Sequence, residues 1–351
     1  MGLLTTMLLK ATMCNACVMF GGDTQDTFWT VTHQPAGTSP YGNFSEPNPA
    51  LNAAVASLSL AQVAIGDAIG ATNRTLVLRT CRQDGLVLRT ARPATAIDAT
   101  FWTASAAPTG DVWSTYSSIS AATAQLGLPL LYPNRLEVHY VLAANLSKAW
   151  SLPLRSQVLL SAWQPPTSMP PDRYGLTPPP PPPVACTWQL SPHSRLLCES
   201  YSVVVVDVAG GSPAKGAQLA IVNTSASSQS GELTIPACYE DRATGVVPFH
   251  LYVVAPVLAN GWVFLGEGGD KFVTASPERF SAFTALPHSI AVHVAGVAGE
   301  LVPVLFGEPA SQPNAVTVMA VMCDFQGSTT ATLTAACSWT STASPPACTC
   351  S

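Results

Sequence analysis

From residue 110 onward the chain is a succession of strand-length runs: "VWSTYSS", "LEVHYVLAAN", "SQVLLSAW", "YSVVVVDV", "AQLAIVNTS", "GELTIPA", "VPFHLYVV", "GWVFLGE", "KFVTAS", "SIAVHVAG" and "ELVPVLFG". Each is rich in Val, Ile, Tyr or Phe and is bounded by Gly, Pro, Asn or Asp, residues that favour turns or cannot extend a ladder. No helical periodicity of comparable length competes with them. Short strands at this spacing predict a mainly β chain with an antiparallel β-sandwich over residues 110–308. One segment interrupts the pattern. Residues 164–184 read "QPPTSMPPDRYGLTPPPPPPV", with six consecutive prolines at 178–183. Proline has no backbone donor for a ladder, so this insertion is expected as exposed polyproline II. Residues 309–351 form a Ser/Thr/Cys-rich tail in which "AVTVMAV" and "TATLTAACSW" could supply last strands.

The first hundred residues follow a different grammar. Asn48 suits a helix cap and Pro49 the first helical position. Leu51, Ala54, Val55 and Leu58 then recur at helical spacing and predict one buried face. "QVAIGD" is a short apolar strand ending at Gly66 and Asp67. Thr72 or Asn73 is placed to cap a second helix running through Leu76 to Cys81, with Gly85 closing it. Helix, buried strand, helix belongs to α/β architecture, here confined to residues 1–109.

Composition narrows the function classes. The chain is 48% hydrophobic and 10% charged, which suits a packed core. A net charge of −5 without a basic block excludes the electrostatic footprint of a nucleic-acid binder. The uncharged apolar window at 243–266 contains Pro248, Pro256, Asn260 and Gly261, so it reads as two strands and not as a membrane span. The apolar N-terminus is broken by Lys10 and lacks a basic leader region. It reads as a degraded signal peptide, a loose myristoylation match, or the interior of a longer domain. Ten cysteines are present, seven of them beyond residue 185. Cys14 and Cys17 form a lone CxxC without a second pair at zinc spacing, so no metal and no cofactor is expected. Four N-glycosylation sequons lie at Asn43, Asn73, Asn145 and Asn223. With the cysteines they favour a secretory or extracellular setting.

Five elements, in order, carry a resemblance. "DTQDTFWT" at 23–30, "QVAIGD" with the helix "TLVLRTC" and "QDGLVL", "RPATAIDATF" with "GDVWSTYSS", then "AQLAIVNTS" and "FSAFTALPHSIAVHVAG" resemble the C-terminal portion of the α-galactosidase and raffinose-synthase (melibiase-like) glycoside hydrolase clan. The resemblance implies the last strand–helix units of an incomplete (β/α)8 barrel, followed by a β-sandwich with a Pro-His turn before its closing strand. It also implies a carbohydrate partner of α-galactoside type. Asp67 would contact sugar or support a contact at the barrel mouth, and the alternative is a loop Asp capping the next helix. Asp26 with Trp29 would form a substrate rim, although the tryptophan could equally be core.

The departure from the clan is chemical. Its two catalytic aspartates, a nucleophile and an acid/base, sit on strands preceding the element matched here by residues 23–30. The 22 residues before that element contain neither Asp nor Glu. No catalytic residue is therefore expected in this chain. Asp23, Asp26, Asp67 and Asp98 could substitute only within a closed barrel. His139, His250 and His293 fall within strand patterns and read as sheet residues, not bases. Three readings follow: a fragment or non-catalytic relative of the clan, a stand-alone carbohydrate-binding or matrix β protein, and a relic without activity.

Overall fold

The computed structural model describes residues 27–35, 45–60, 64–97, 110–121, 135–153, 202–208, 220–223, 232–258, 260–309, 316–326, 332–338 and 346–351. The chain is mainly β, as its apolar runs require. The largest sheet contains β1 (Thr95–Ala96), β2 (Asp111–Ser120), β3 (Arg135–Ala144), β5 (Ser202–Asp207), β6 (Ala220–Asn223) and β8 (Phe249–Pro256), in the order β1-β2-β3-β8-β5-β6. Every pairing in it is antiparallel. Leu136, Val138, Tyr140, Leu142 and Ala144 of β3 face the main core with Leu251, Val253 and Ala255 of β8. Val141 and Ala143 face a second cluster with Val205, Tyr252 and Val254. A sheet covered on both faces needs apolar residues at consecutive positions. That is why "VHYVLAA" runs on instead of alternating with polar residues.

A four-stranded antiparallel sheet is formed by β10 (Phe280–Leu286), β11 (Ser289–Ala295), β14 (Thr332–Ser338) and β15 (Ala347–Cys350) in the order β10-β11-β14-β15. A three-stranded sheet has β12 (Leu301–Pro309) between β13 (Val316–Asp324) and β9 (Val263–Glu267), and β4 (Trp150–Pro153) pairs with β7 (Glu232–Ile235). Pro287 and His288 form the two-residue connection of the β10–β11 hairpin, in which Leu286 pairs with Ser289. Ile290, Val292 and Val294 alternate inward from β11, the period expected of a sheet buried on one face. Two disulfides secure the tail strands. Cys337–Cys348 crosses the β14–β15 pair at directly opposed positions, and Cys323–Cys350 joins β13 to β15, one sheet to the other.

Several local expectations are corrected. "KFVTAS" is not a strand: residues 271–276 form bends and turns. Its apolar residues are still buried, with Phe272 and Val273 at 0% exposure. Its backbone serves neighbours instead of a ladder: Thr274 O accepts from Glu267 N at 2.6 Å, and Phe272 N donates to Arg79 O at 3.1 Å. Helix α1 (Pro49–Leu58) starts with proline as expected, but it is buried from Leu51 to Leu58 on every side, not on one face. Asn48 makes no side-chain cap. It reaches across to the lead-in of β8, Nδ2 donating to Gly245 O at 3.1 Å and Oδ1 accepting from Val247 N at 2.7 Å. Helix α2 (Arg74–Leu78) is capped by Asn73, whose Oδ1 accepts from Leu76 N at 3.2 Å, but it is only five residues long. Cys81 and Val87 then pair as an antiparallel bridge around a tight turn, so Gly85 closes a hairpin and not a helix.

The core does not divide at residue 109. Phe28, Leu51, Val55, Leu58, Leu76 and Leu88 belong to the same buried cluster as Tyr140, Phe264, Phe283 and Phe306. The proline insertion at 164–184, "SQVLLSAW", Asp23, Asp26, Asp98, Cys14, Cys17 and Asn43 lie outside the described residues.

Candidate functional site

Phe28 and Ile65 form a parallel bridge: Phe28 N donates to Ala64 O at 3.2 Å, and Gly66 N donates to Phe28 O at 2.9 Å. Parallel neighbours need a crossover, and α1 lies between them in the chain. A Cβ on Gly66 would stand 2.9 Å from Thr27 Oγ1 and 3.6 Å from Trp29 Cδ1, so glycine allows the two segments to close. Thr30 and Asp67 follow at the carboxyl ends of the pair, the end at which parallel α/β units bind ligands.

Asp67 is held from three directions. Oδ1 accepts from Thr30 N at 2.9 Å and from Gln34 Nε2 at 2.9 Å, and Oδ2 accepts from the Thr30 hydroxyl. Gln34 Oε1 in turn accepts from Ala68 N at 2.7 Å. A carboxylate offers about four lone-pair positions, and three are taken by these neighbours. Asp67 thus ties the end of one parallel segment to the other. It is not the helix cap, which Asn73 supplies. Trp29 is half-buried beside Gly66 while its neighbour Phe28 enters the core at 5% exposure. The other acids in residues 27–97 are locally engaged: Glu46 Oε1 accepts from Asn48 N, and Asp84 accepts from Arg82 Nη2 and Leu86 N.

Three further polar constellations emerge that the sequence reading did not single out as sites. On β3, Glu137 and His139 are two residues apart and share a face, with Oε2 and Nε2 3.8 Å apart. They are paired across β2 with Ser118 and Tyr116. Tyr116 is tilted against His139 at 5.6 Å and is covered by the Arg92 guanidinium at 5.2 Å. Glu137 is 7% exposed and neither of its oxygens has a hydrogen-bond partner among the described residues. Burial pushes its carboxyl up to about 7, against the opposing charges of Arg92 and Arg135. The signal was in "LEVHY": two ionisable residues at strand spacing within an apolar run.

The second constellation is a partly exposed dyad at the other end of this face. His250 Nδ1 and Asp207 Oδ2 lie 2.7 Å apart, and the His250 ring stacks on Tyr252 at 5.7 Å. His250 is thus a satisfied sheet residue. Cys238 packs nearby in the second core cluster, but it is 3% exposed and burial raises its thiol pKa, so it is not a thiolate nucleophile for the dyad. Burial likewise raises Cys81, the other free cysteine among the described residues.

The third is a buried ion network. All five donors of Arg279 are used: Nε and Nη2 on Glu267, Nη1 and Nη2 on Glu300, and Nη1 also on Ala295 O, at 2.6 to 3.3 Å. Burial alone would raise the Glu300 carboxyl, but its bonds and charge contact with Arg279 hold it below the ordinary value. Lys271 stands 3.4 Å from Glu267 and donates to the carbonyls of Leu78 and Cys81 at 2.6 and 2.7 Å. Two cations and two anions neutralise one another, and they bind the segment after α2 to the β sheets.

Among the described residues there is no group of three or more His, Cys, Asp or Glu arranged to hold a metal ion, and no helix long and apolar enough to cross a membrane. No protein-family model matches the chain, and no curated protein matches it.

Proposed function

We propose that these 351 residues are a non-catalytic relative, or the non-catalytic portion, of an α-galactosidase/raffinose-synthase-like glycoside hydrolase. In this reading residues 1–109 are terminal units of an incomplete (β/α)8 barrel and the antiparallel sheets form the β-sandwich that follows it. The observation that carries the reading is the Phe28–Ile65 parallel bridge, with α1 between its segments and Asp67 at its carboxyl end. Such a unit, running into antiparallel sheets that share its core, matches the order of elements in that clan. The engagement of Asp67 by Thr30 and Gln34 supports an anchoring role over a nucleophilic one. A retaining mechanism needs a second carboxylate about 5 Å away. Among residues 27–97 the only other acids, Glu46 and Asp84, are bonded within their own turns.

The alternative is a stand-alone carbohydrate-binding or matrix β protein. The two disulfides favour it to this extent: they fasten the last strands as in proteins built for oxidising surroundings. Assay of the purified chain on p-nitrophenyl α-galactoside and raffinose separates these readings from an active enzyme. Turnover at the buffer rate is expected. Turnover above it that disappears in Asp67→Asn would overturn the non-catalytic assignment. Saturable binding of galactose without turnover would favour the carbohydrate-binding alternative.

A further inference from the structure

The four sequons are equivalent in sequence, but the fold treats two of the described ones differently. Asn73, Arg74 and Thr75 are all exposed. Asn73 caps α2 through Oδ1 alone, and its backbone N donates to Thr30 Oγ1 at 2.7 Å. Its amide nitrogen Nδ2, the atom that carries an N-linked sugar, makes no hydrogen bond with any described residue. A glycan there would leave the cap intact. Four residues earlier on the same loop Ile69 is fully exposed, at 106% relative accessibility, an unusual setting for a large apolar side chain. The Asn145 sequon is wedged into the fold instead. Asn145 has φ 54° and its Oδ1 accepts from Glu240 N at 3.2 Å. Leu146, the middle residue, is 0% exposed, and its carbonyl accepts from Cys238 N at 3.1 Å. The backbone of Asn145 also presses on Gly110, where a Cβ would lie 2.5 Å from the Asn145 carbonyl oxygen.

We propose that Asn73 is an N-glycosylation site and that Asn145 is not. The donor is a lipid-pyrophosphate-linked oligosaccharide. Asn73 Nδ2 loses a proton to a base of the transferring enzyme and forms a bond to the anomeric carbon. The bond from that carbon to the pyrophosphate oxygen breaks, and the lipid pyrophosphate leaves with the electron pair. The glycan stands on the loop at the carboxyl end of the Phe28–Ile65 pair, where it covers Ile69. Thr30 joins its attachment residue to Asp67, donating its hydroxyl proton to one and accepting from the other.

The inference does not rest on the proposed function, because occupancy is read by mass and not by activity or sugar binding. The full chain, led into the secretory pathway of a eukaryotic cell line by an appended signal peptide, is purified and peptide-mapped. N-glycosidase treatment in ¹⁸O water marks each occupied asparagine. The expected result is label at Asn73 and none at Asn145. Asn73→Asp keeps a cap oxygen and Thr75→Ala leaves the cap untouched, and both should lose that glycan while the chain is still secreted. Asn145→Gln should leave glycan mass unchanged. An unmodified Asn73 in secreted protein, or label at Asn145, would overturn the proposal.

Discussion

Glu137 shows how one residue can set a pH response. Its carboxyl is buried without a hydrogen-bond partner among the described residues, and its pKa is raised from 4.5 to about 7. The folded state therefore holds a proton that the unfolded chain releases between those two values. Stability falls as pH rises through that window and levels off above it, by about 3 kcal/mol in all. Glu137→Gln removes the titration. Urea unfolding of both proteins at pH 5 and pH 8 should show the variant gaining on the native chain by roughly that amount. A gap that does not change with pH would mean the carboxylate finds partners when ionised. Asp67 illustrates the opposite case. Its position at a strand end was visible in "IGD", but its engagement depends on Thr30 and Gln34, more than thirty residues earlier, which no local pattern connects to it.

At the scale of elements, short-range chemistry was legible and the use made of it was not. Asn73 caps as its side chain suggests, yet Asn48, an equally good capping residue, spends its amide on β8 because the chain near residue 245 lies within reach. "KFVTAS" has strand composition but packs as turns, its backbone bonded to Glu267 and Arg79. Strand β15 is held by its ladder with β14 and by its two cysteines, each cross-linking to a different strand. With partners separated by 27 and 11 positions in the chain, the chain-entropy model gives each bridge about 3 kcal/mol. Cys350→Ser should therefore lower the unfolding midpoint in urea by an amount near one bridge, and reduction of the native protein should lower it further. If reduced and oxidised protein unfold at the same midpoint, the bridges do not stabilise the fold.

For the whole molecule, one core runs from Phe28 and α1 through the antiparallel sheets, and the Arg279 network fastens them at a second place. Removing one partner from a buried ion cluster leaves the others uncompensated, at a cost of about 3–5 kcal/mol. Arg279→Met should lower stability by that amount in a single cooperative transition that includes the N-terminal residues. Two separate transitions would show that residues 27–97 and the sheets fold independently. The sequence by itself determined the mainly β character, most of the described strands and a helix cap at Thr72 or Asn73, because each depends on residues a few positions apart. Only the tertiary structure decided that β8 lies between β3 and β5, that Cys323 reaches Cys350, and that Glu137 is buried beside His139 without a hydrogen bond to any described residue. A strand's alternation encodes which face is apolar but not which strand lies beside it. That choice is made by packing among residues far apart in the chain, where the buried surface and the ion network outweigh local preference.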